Sequence, residues 1–216
     1  MILAIGDSNM YPACTESGQT VDQDNMVSGF SRIMDSPFRC WSKNGASNYW
    51  IRSHIEYFLH DTAWPTDTLL FVGWTSFERE EWPWLYSNIS VCGGPDFGIP
   101  QAMQAKYTAW KNTLTEQYLQ DKIDYWHDAI YHVHQQLLLR NVPHVFWTTY
   151  DNFKSVTNQV DWHGHFYKPY DPDGCMTKFF QTRSIAPNHG DAFHYDKMAH
   201  LAWAQELADH ASMNLL

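Results

Sequence analysis

The chain is short of cysteine and of positive charge, and it has no long apolar run. Its cysteines, Cys14, Cys40, Cys92 and Cys175, form no C-x-x-C pair in 216 residues, a length that needs no disulfide framework, so free thiols in a reducing compartment are expected. Cys14 alone lies near a motif of interest and reads as a small core residue rather than a nucleophile. Lys and Arg total 14 against 24 Asp and Glu, a formal net charge of −10. That balance disfavours phosphate backbones as partners, so no nucleic acid is expected. No stretch of about eighteen apolar residues occurs, and Met1-Ile2-Leu3-Ala4-Ile5-Gly6-Asp7 shows neither a basic leader region nor a small-residue cleavage site. The expectation is a cytoplasmic protein with no membrane partner. Neither G-x-G-x-x-G nor G-x-x-x-x-G-K-[ST] is present, so no phosphate cradle is visible, and G-x-S-x-G is absent as well.

What is present suits one ordinary domain over residues 1–216, with 44% apolar and 18% charged residues. Aromatic content is 16%, with 11 Trp, and Trp41, Trp50, Trp64, Trp74, Trp82 and Trp84 fall in one stretch. Two readings stand side by side: a Trp-lined surface groove, or indoles filling the core with their N–H groups bonded to carbonyls. The 12 His would, if all protonated, more than cancel the net charge of −10, so the surface field depends on pH between about 5 and 8.

Ile2 to Ile5 is wholly apolar and ends at Gly6, the pattern of a strand buried on both faces. Asn25 to Met34 has helical spacing, with Met26, Phe30 and Ile33 on one face, and a strand over Phe38 to Trp41 follows. After the turn-forming run Ser42-Lys43-Asn44-Gly45-Ala46-Ser47, the residues Trp50, Ile51, Ile55, Phe58 and Leu59 recur at helical intervals to about His60. Thr68 to Val72 is the clearest strand, ending at Gly73. Glu80 to Pro100 is rich in Pro and Gly and reads as an irregular insertion, about 80–103, that walls a groove or forms a lid. The pattern from Gln104 to Arg140 is helical throughout, with Ile123, Trp126, Ile130, Val133 and Leu137 as its stripe; His127, His132 and His134 read as exposed. His144 to Thr149 is a fourth strand and Lys197 to Ala211 a last helix. Such alternation predicts an α/β fold, a three-layer α/β/α sandwich on a mostly parallel sheet.

Ligands of such sheets bind beyond the carboxyl ends of the strands. The residues there are Asp7-Ser8-Asn9, Asn44-Gly45-Ala46-Ser47-Asn48, Trp74-Thr75-Ser76 and Tyr150-Asp151-Asn152. Ser8 stands where a nucleophilic hydroxyl belongs. A hydroxyl needs a base and the base an orienting carboxylate, and Asp191-Ala192-Phe193-His194 supplies both just before the last helix. Gly45 permits the close backbone approach that an oxyanion-binding N–H requires.

Gly6-Asp7-Ser8, Gly45-Ala46-Ser47-Asn48, Gly73 and Asp191-x-x-His194 come in an order and spacing that span nearly the whole chain, which thereby resembles an SGNH/GDSL-type hydrolase. The resemblance implies a flavodoxin-like fold, no metal or other cofactor, and hydrolysis of a small-molecule or glycan ester, including O-acetyl groups on carbohydrate. It makes Ser8 the nucleophile, His194 the general base and then acid, and Asp191 its orienting partner. The N–H groups of Ser8 and Gly45 become two parts of the oxyanion hole.

The third block departs from the family's Gly-x-Asn-Asp: Gly73-Trp74-Thr75-Ser76 places Thr75 where an Asn donor belongs. Losing one preorganised donor costs about 3 kcal/mol of transition-state stabilisation. Asn9, Asn48 and Arg79 are candidates to compensate, Arg79 foremost because a guanidinium reaches an oxyanion or an anionic substrate group. Its bland alternative is a surface pair with Glu78 or Glu80. Asn9, Asn48, Trp74 and Arg79 also serve as candidate substrate contacts. Two other classes remain: a glycan-binding or structural module that has lost activity, and a metal site drawn from Asp161, His163, His165, Asp171, Asp173, His189, Asp191, His194 and His200.

Overall fold

A sheet buried on both faces has to alternate its apolar side chains between two cores, and the strands here do so. The computed structural model describes residues 1–7, 9–10, 25–61, 64–85, 87–93, 99–187 and 195–215. Strands β1 (Ile2–Gly6), β2 (Phe38–Ser42), β3 (Leu69–Trp74) and β6 (His144–Thr148) form a parallel sheet in the order β2-β1-β3-β6. Ile2, Ala4, Phe71, Val145 and Trp147 face helices α1 (Met26–Ile33), α5 (Met176–Thr182) and α6 (Lys197–Asn214). Leu3, Ile5, Leu70, Val72, Trp74 and Phe146 face α2 (Asn48–His60) and α4 (Glu116–Leu139). The result is the three-layer α/β/α sandwich that the alternation predicts. Beyond β6, residues 165–167 run parallel to it, with Phe146 N–H donating to the His165 carbonyl and Tyr167 N–H to that of Phe146.

Helix starts follow local chemistry. The Asn25 side chain accepts from Ser28 N–H at 3.0 Å while the Ser28 hydroxyl accepts from Asn25 N–H at 3.1 Å, a capping box for α1. Ser47, Thr115 and Asp196 cap α2, α4 and α6 in the simpler way. No described helix is long and apolar enough to cross a membrane.

Four expectations need correction. The region about 80–103 is not wholly irregular: β4 (Glu80–Trp84) and β5 (Ser87–Val91) form an antiparallel hairpin, followed by a 3₁₀ turn at Gln101–Met103. A two-stranded ribbon has free edges, and there Pro83 is tolerated. The helix over 104–140 is two helices, α3 (Gln104–Lys111) and α4, because Thr115 caps a new start. β3 runs through Gly73 to Trp74, since Gly73 pairs with Trp147; a Cβ on Gly73 would lie 2.4 Å from that indole ring, so only glycine fits. His127 and His134 are buried, not exposed, each with a ring nitrogen in a hydrogen bond: His127 Nε2 with the Tyr170 hydroxyl at 2.9 Å and His134 Nδ1 with His144 Nε2 at 2.8 Å. α5 had no capping signal in the sequence, and its N-cap, Cys175, makes no side-chain cap bond.

The Trp-rich stretch divides, with Trp74 and Trp82 buried and Trp41, Trp50, Trp64 and Trp84 partly so. Trp74, Trp126, Trp147 and Trp203 are fully buried, and Trp82 and Trp162 are buried too. Of the fully buried indoles Trp126 donates its N–H to a carbonyl, that of Phe77, while those of Trp74, Trp147 and Trp203 have no partner among the described residues. Cys175 is a buried free thiol and Cys92 a partly buried one; Cys40 is buried, and Cys14 lies outside the described residues.

Candidate active site

The loops that leave β1, β2, β3 and β6 meet at the carboxyl end of the sheet, and buried polar groups tie them together. Ser8, Asp191 and His194 lie outside the described residues, so the site is built from their neighbours. Asp7 follows β1 and is 1% exposed. One oxygen of its carboxylate accepts from the Asn9 N–H at 3.0 Å and the Asn9 amide at 3.2 Å. The other accepts from the Thr75 hydroxyl at 2.8 Å and lies 3.7 Å from Arg79 Nη1. Four donors around one carboxylate are what a buried charge requires.

Arg79 does not pair with Glu78 or Glu80. Its Nη1 donates to the Ala46 carbonyl at 3.0 Å while facing Asp7, so one guanidinium joins the residue before Ser8 to the residue after Gly45. Gly45 adopts φ +71°, a left-handed conformation that favours glycine, whereas a Cβ there would meet only Ser90 at an ordinary 3.8 Å. Backbone conformation by itself therefore favours glycine at this turn.

Three candidate contacts are structural in this arrangement. Asn48 is fully buried, its amide donating to the Thr75 and Ser76 carbonyls at 3.2 and 3.4 Å and accepting from Thr75 N–H at 2.9 Å. Asn48 clamps α2 to the end of β3 and offers no free face to substrate. The Thr75 hydroxyl is committed to Asp7, which corrects its expected place as an oxyanion donor. Trp74 is fully buried with its ring edge-on to Phe146, so it is a core residue and not a substrate platform. Asn9, 2% exposed, donates through its amide to Asp7 and, at 3.3 Å, to the Tyr150 hydroxyl.

Tyr150 and Asp151 carry roles the sequence did not assign, although their place just after the fourth strand marked them for inspection. Burial, with the Asp7 charge beside it, pushes the Tyr150 hydroxyl up to about 12, so it is a neutral phenol. Burial also raises the Asp151 carboxyl, against hydrogen bonds from Phe77 N–H and the Ser76 hydroxyl, each at 3.1 Å. Asp151 thereby anchors the turn that delivers Arg79.

The β4–β5 hairpin stands beside this cluster. Glu80 accepts from the Tyr118 hydroxyl at 2.7 Å, Lys122 at 2.9 Å and the Trp82 indole N–H at 3.1 Å. Burial alone would raise the Glu80 carboxyl, but these three donors outweigh it and hold it below its ordinary value. Gly93 N–H donates to Glu78 at 2.8 Å, fastening the hairpin's far end.

Among the described residues no three His, Cys, Asp or Glu side chains form a group able to hold a metal ion. Of the metal reading's set, His189, Asp191 and His194 lie outside the described residues.

No protein-family model matches the chain, and no curated protein does. Its structure is similar to the crystal structure of a member of the lipolytic protein G-D-S-L family from Veillonella parvula, at 9% identity and TM-score 0.43, covering 98% of this chain and 96% of that one. A likeness this distant is one of chain trace and assigns no residue a role.

Proposed function

We propose that the protein is a metal-independent serine hydrolase of SGNH type that cleaves carboxylic esters, short acyl groups such as O-acetyl on carbohydrate among them. The observation that carries this reading is Arg79 bridging Asp7 and the Ala46 carbonyl, which holds together the segments that bear Ser8 and Gly45. In the proposed cycle the Ser8 hydroxyl oxygen attacks the ester carbonyl carbon while His194 takes its proton and Asp191 steadies the imidazolium. The carbonyl oxygen, now an anion, is met by the N–H groups of Ser8 and Gly45, with the Arg79 guanidinium in the part that Thr75 does not play. The C–O bond breaks, the alcohol leaves with the proton from His194, and water then frees the acid and restores Ser8. The hydrolytic reading calls for no cofactor.

The commitment of Thr75 to Asp7 favours a second reading, a scaffold that binds glycan without turnover. A fluorophosphonate probe separates the two, with the purified protein and its Ser8→Ala variant mapped by peptide mass spectrometry. Labelling at Ser8 that vanishes in the variant is the expected result. A folded wild-type protein that takes no label rejects the hydrolase and leaves the binding module.

A further inference from the structure

The segment that leaves β1 is held from several sides. Met10 N–H donates to the Asp7 carbonyl at 3.0 Å, closing the four-residue segment Asp7–Met10, whose second residue in sequence is Ser8. Met10 is fully buried, and a Cβ on Gly6 would stand 2.7 Å from its sulfur, so glycine at the end of β1 leaves room for the chain to fold back. The Asp7 carboxylate, which only accepts, takes the Asn9 N–H and one proton of the Asn9 amide. That fixes which way the amide faces and directs its other proton to the Tyr150 hydroxyl oxygen, 3.3 Å away. Tyr150 stands on a fixed base. Thr149 N–H donates to the Trp74 carbonyl at 2.9 Å, the Thr149 carbonyl accepts from Thr177 N–H at 3.0 Å, and the Tyr150 carbonyl accepts from the Cys175 thiol at 3.3 Å. The end of β3 and the start of α5 thus hold the backbone from which the phenol reaches Asn9.

We propose that Tyr150 is a positioning residue for the nucleophile: by accepting from Asn9, its hydroxyl oxygen ties the segment that carries Ser8 to the end of β6, across β3. The inference rests on the serine-hydrolase reading and adds to it a residue that touches neither substrate nor reacting atoms. Asp7 and Asn9 flank Ser8, and each is tied to another strand end: Asp7 to Thr75 and Arg79 after β3, Asn9 to Tyr150 after β6. Asn9 is buried, so phenylalanine at 150 would leave that amide proton without an acceptor and one flank of the nucleophile without its tie. Misplacing a reacting group by about 1 Å costs about 100-fold in rate, so the loss of one of two flanking ties is expected to cost about tenfold.

The test follows the rate at which a fluorophosphonate labels Ser8 in the wild-type protein, Tyr150→Phe, Asn9→Ala and the double variant. Misplacement slows labelling and leaves its end point full, whereas damage to the fold lowers the end point. Tyr150→Phe should label about tenfold more slowly to a full end point, and its kcat/KM for p-nitrophenyl acetate should fall by a similar factor. In the Asn9→Ala background the same substitution should change the rate by less than about twofold, since the bond it removes is already gone. A wild-type rate in Tyr150→Phe, a loss confined to the end point, or an equal loss in both backgrounds overturns the proposal. Should Tyr150→Phe fail to fold, Asn9→Ala decides in its place, because it cuts the same bond from the other side, and an unchanged labelling rate there overturns the proposal. A folded wild-type protein that takes no label at Ser8 is instead the failure of the hydrolase reading itself, and the positioning role falls with it.

Discussion

At the carboxyl end of the sheet, the buried Asp7 and the partly buried Asp151 are carboxylates that accept from several donors, whereas at the amino end of β6 His134 and His144 are buried as a neutral chain. Val142 supplies a carbonyl 2.8 Å from His144 Nδ1, so that nitrogen carries the proton and Nε2 accepts. His134 Nδ1, 2.8 Å away, therefore donates to it, and His134 Nε2 is left as a bare, buried lone pair without a partner. His165 donates from Nδ1 to the His144 carbonyl at 2.8 Å and stacks on the His144 ring at 4.1 Å between centroids. Burial first, then the neighbouring His165, pushes His134 down to about 4 and His144 to about 2. His163 also disfavours a proton on His134, against the opposing pull of Asp161. One end of the sheet is built around charge, the other around its exclusion.

The largest effect should come from removing the charge at the site end. Asp7→Ala leaves Arg79 facing no carboxylate and the Thr75 hydroxyl without its acceptor, and should cost about 3 kcal/mol in urea unfolding. Survival of full stability would show that Arg79 needs no such partner. Arg79→Met acts on the same cluster through the reaction, with kcat for p-nitrophenyl acetate expected to fall about 100-fold and KM to change far less. An unchanged kcat in a folded variant would remove Arg79 from the oxyanion hole.

The opposite end is broken by acid. Imidazoles whose folded pKa lies below the ordinary 6.5 bind protons more readily in the unfolded chain. Stability is therefore intact above about pH 6.5 and declines as pH falls towards 4, by up to about 1.4 kcal/mol per pH unit for each such group. Unfolding midpoints in urea between pH 7 and 5 should show this decline, and His134→Leu/His144→Phe should flatten it. A wild-type profile as flat as the double variant's would contradict the neutral chain. The smallest effect is expected at the hairpin's anchor: Glu80→Gln should cost about 1 kcal/mol or less, because Lys122 and Tyr118 are only partly buried and salt screens the pair. Repeating the measurement in high salt should shrink the difference further.

The two ends also differ in how far they could be read in advance. Ser8, Gly45, Asp191 and His194 are prominent as motifs, and the strand ends point to Tyr150 and Asp151 by position alone. The sequence offers Arg79 two acidic neighbours, Glu78 and Glu80, and the fold pairs it instead with Asp7, far away along the chain. Thr75 follows the end of β3, and its hydroxyl has the Asp7 carboxylate as acceptor only because β3 lies beside β1. His134 on an amphipathic helix looks like a solvated residue until β6 brings His144 against it. The hairpin escaped notice because Pro83 and the flanking glycines mark loops, whereas its two-faced pattern acquires meaning only with α3 covering one side.

The sequence by itself determined that strands lie at Ile2 to Ile5 and within the run that ends at Gly73, the layered α/β plan and the helices that begin near Asn25 and Lys197. Those depend on contacts within a few residues or on a period of two, and such information is carried by neighbours along the chain. The tertiary structure alone decided which tryptophans fill the core, which donors surround Asp7, how the His134–His144 chain is protonated and which hairpin face meets Gly45. Each of these is a choice of partner between segments remote in sequence. A polar group's character is set by the partner that burial gives it, and burial exists only once the layers have packed.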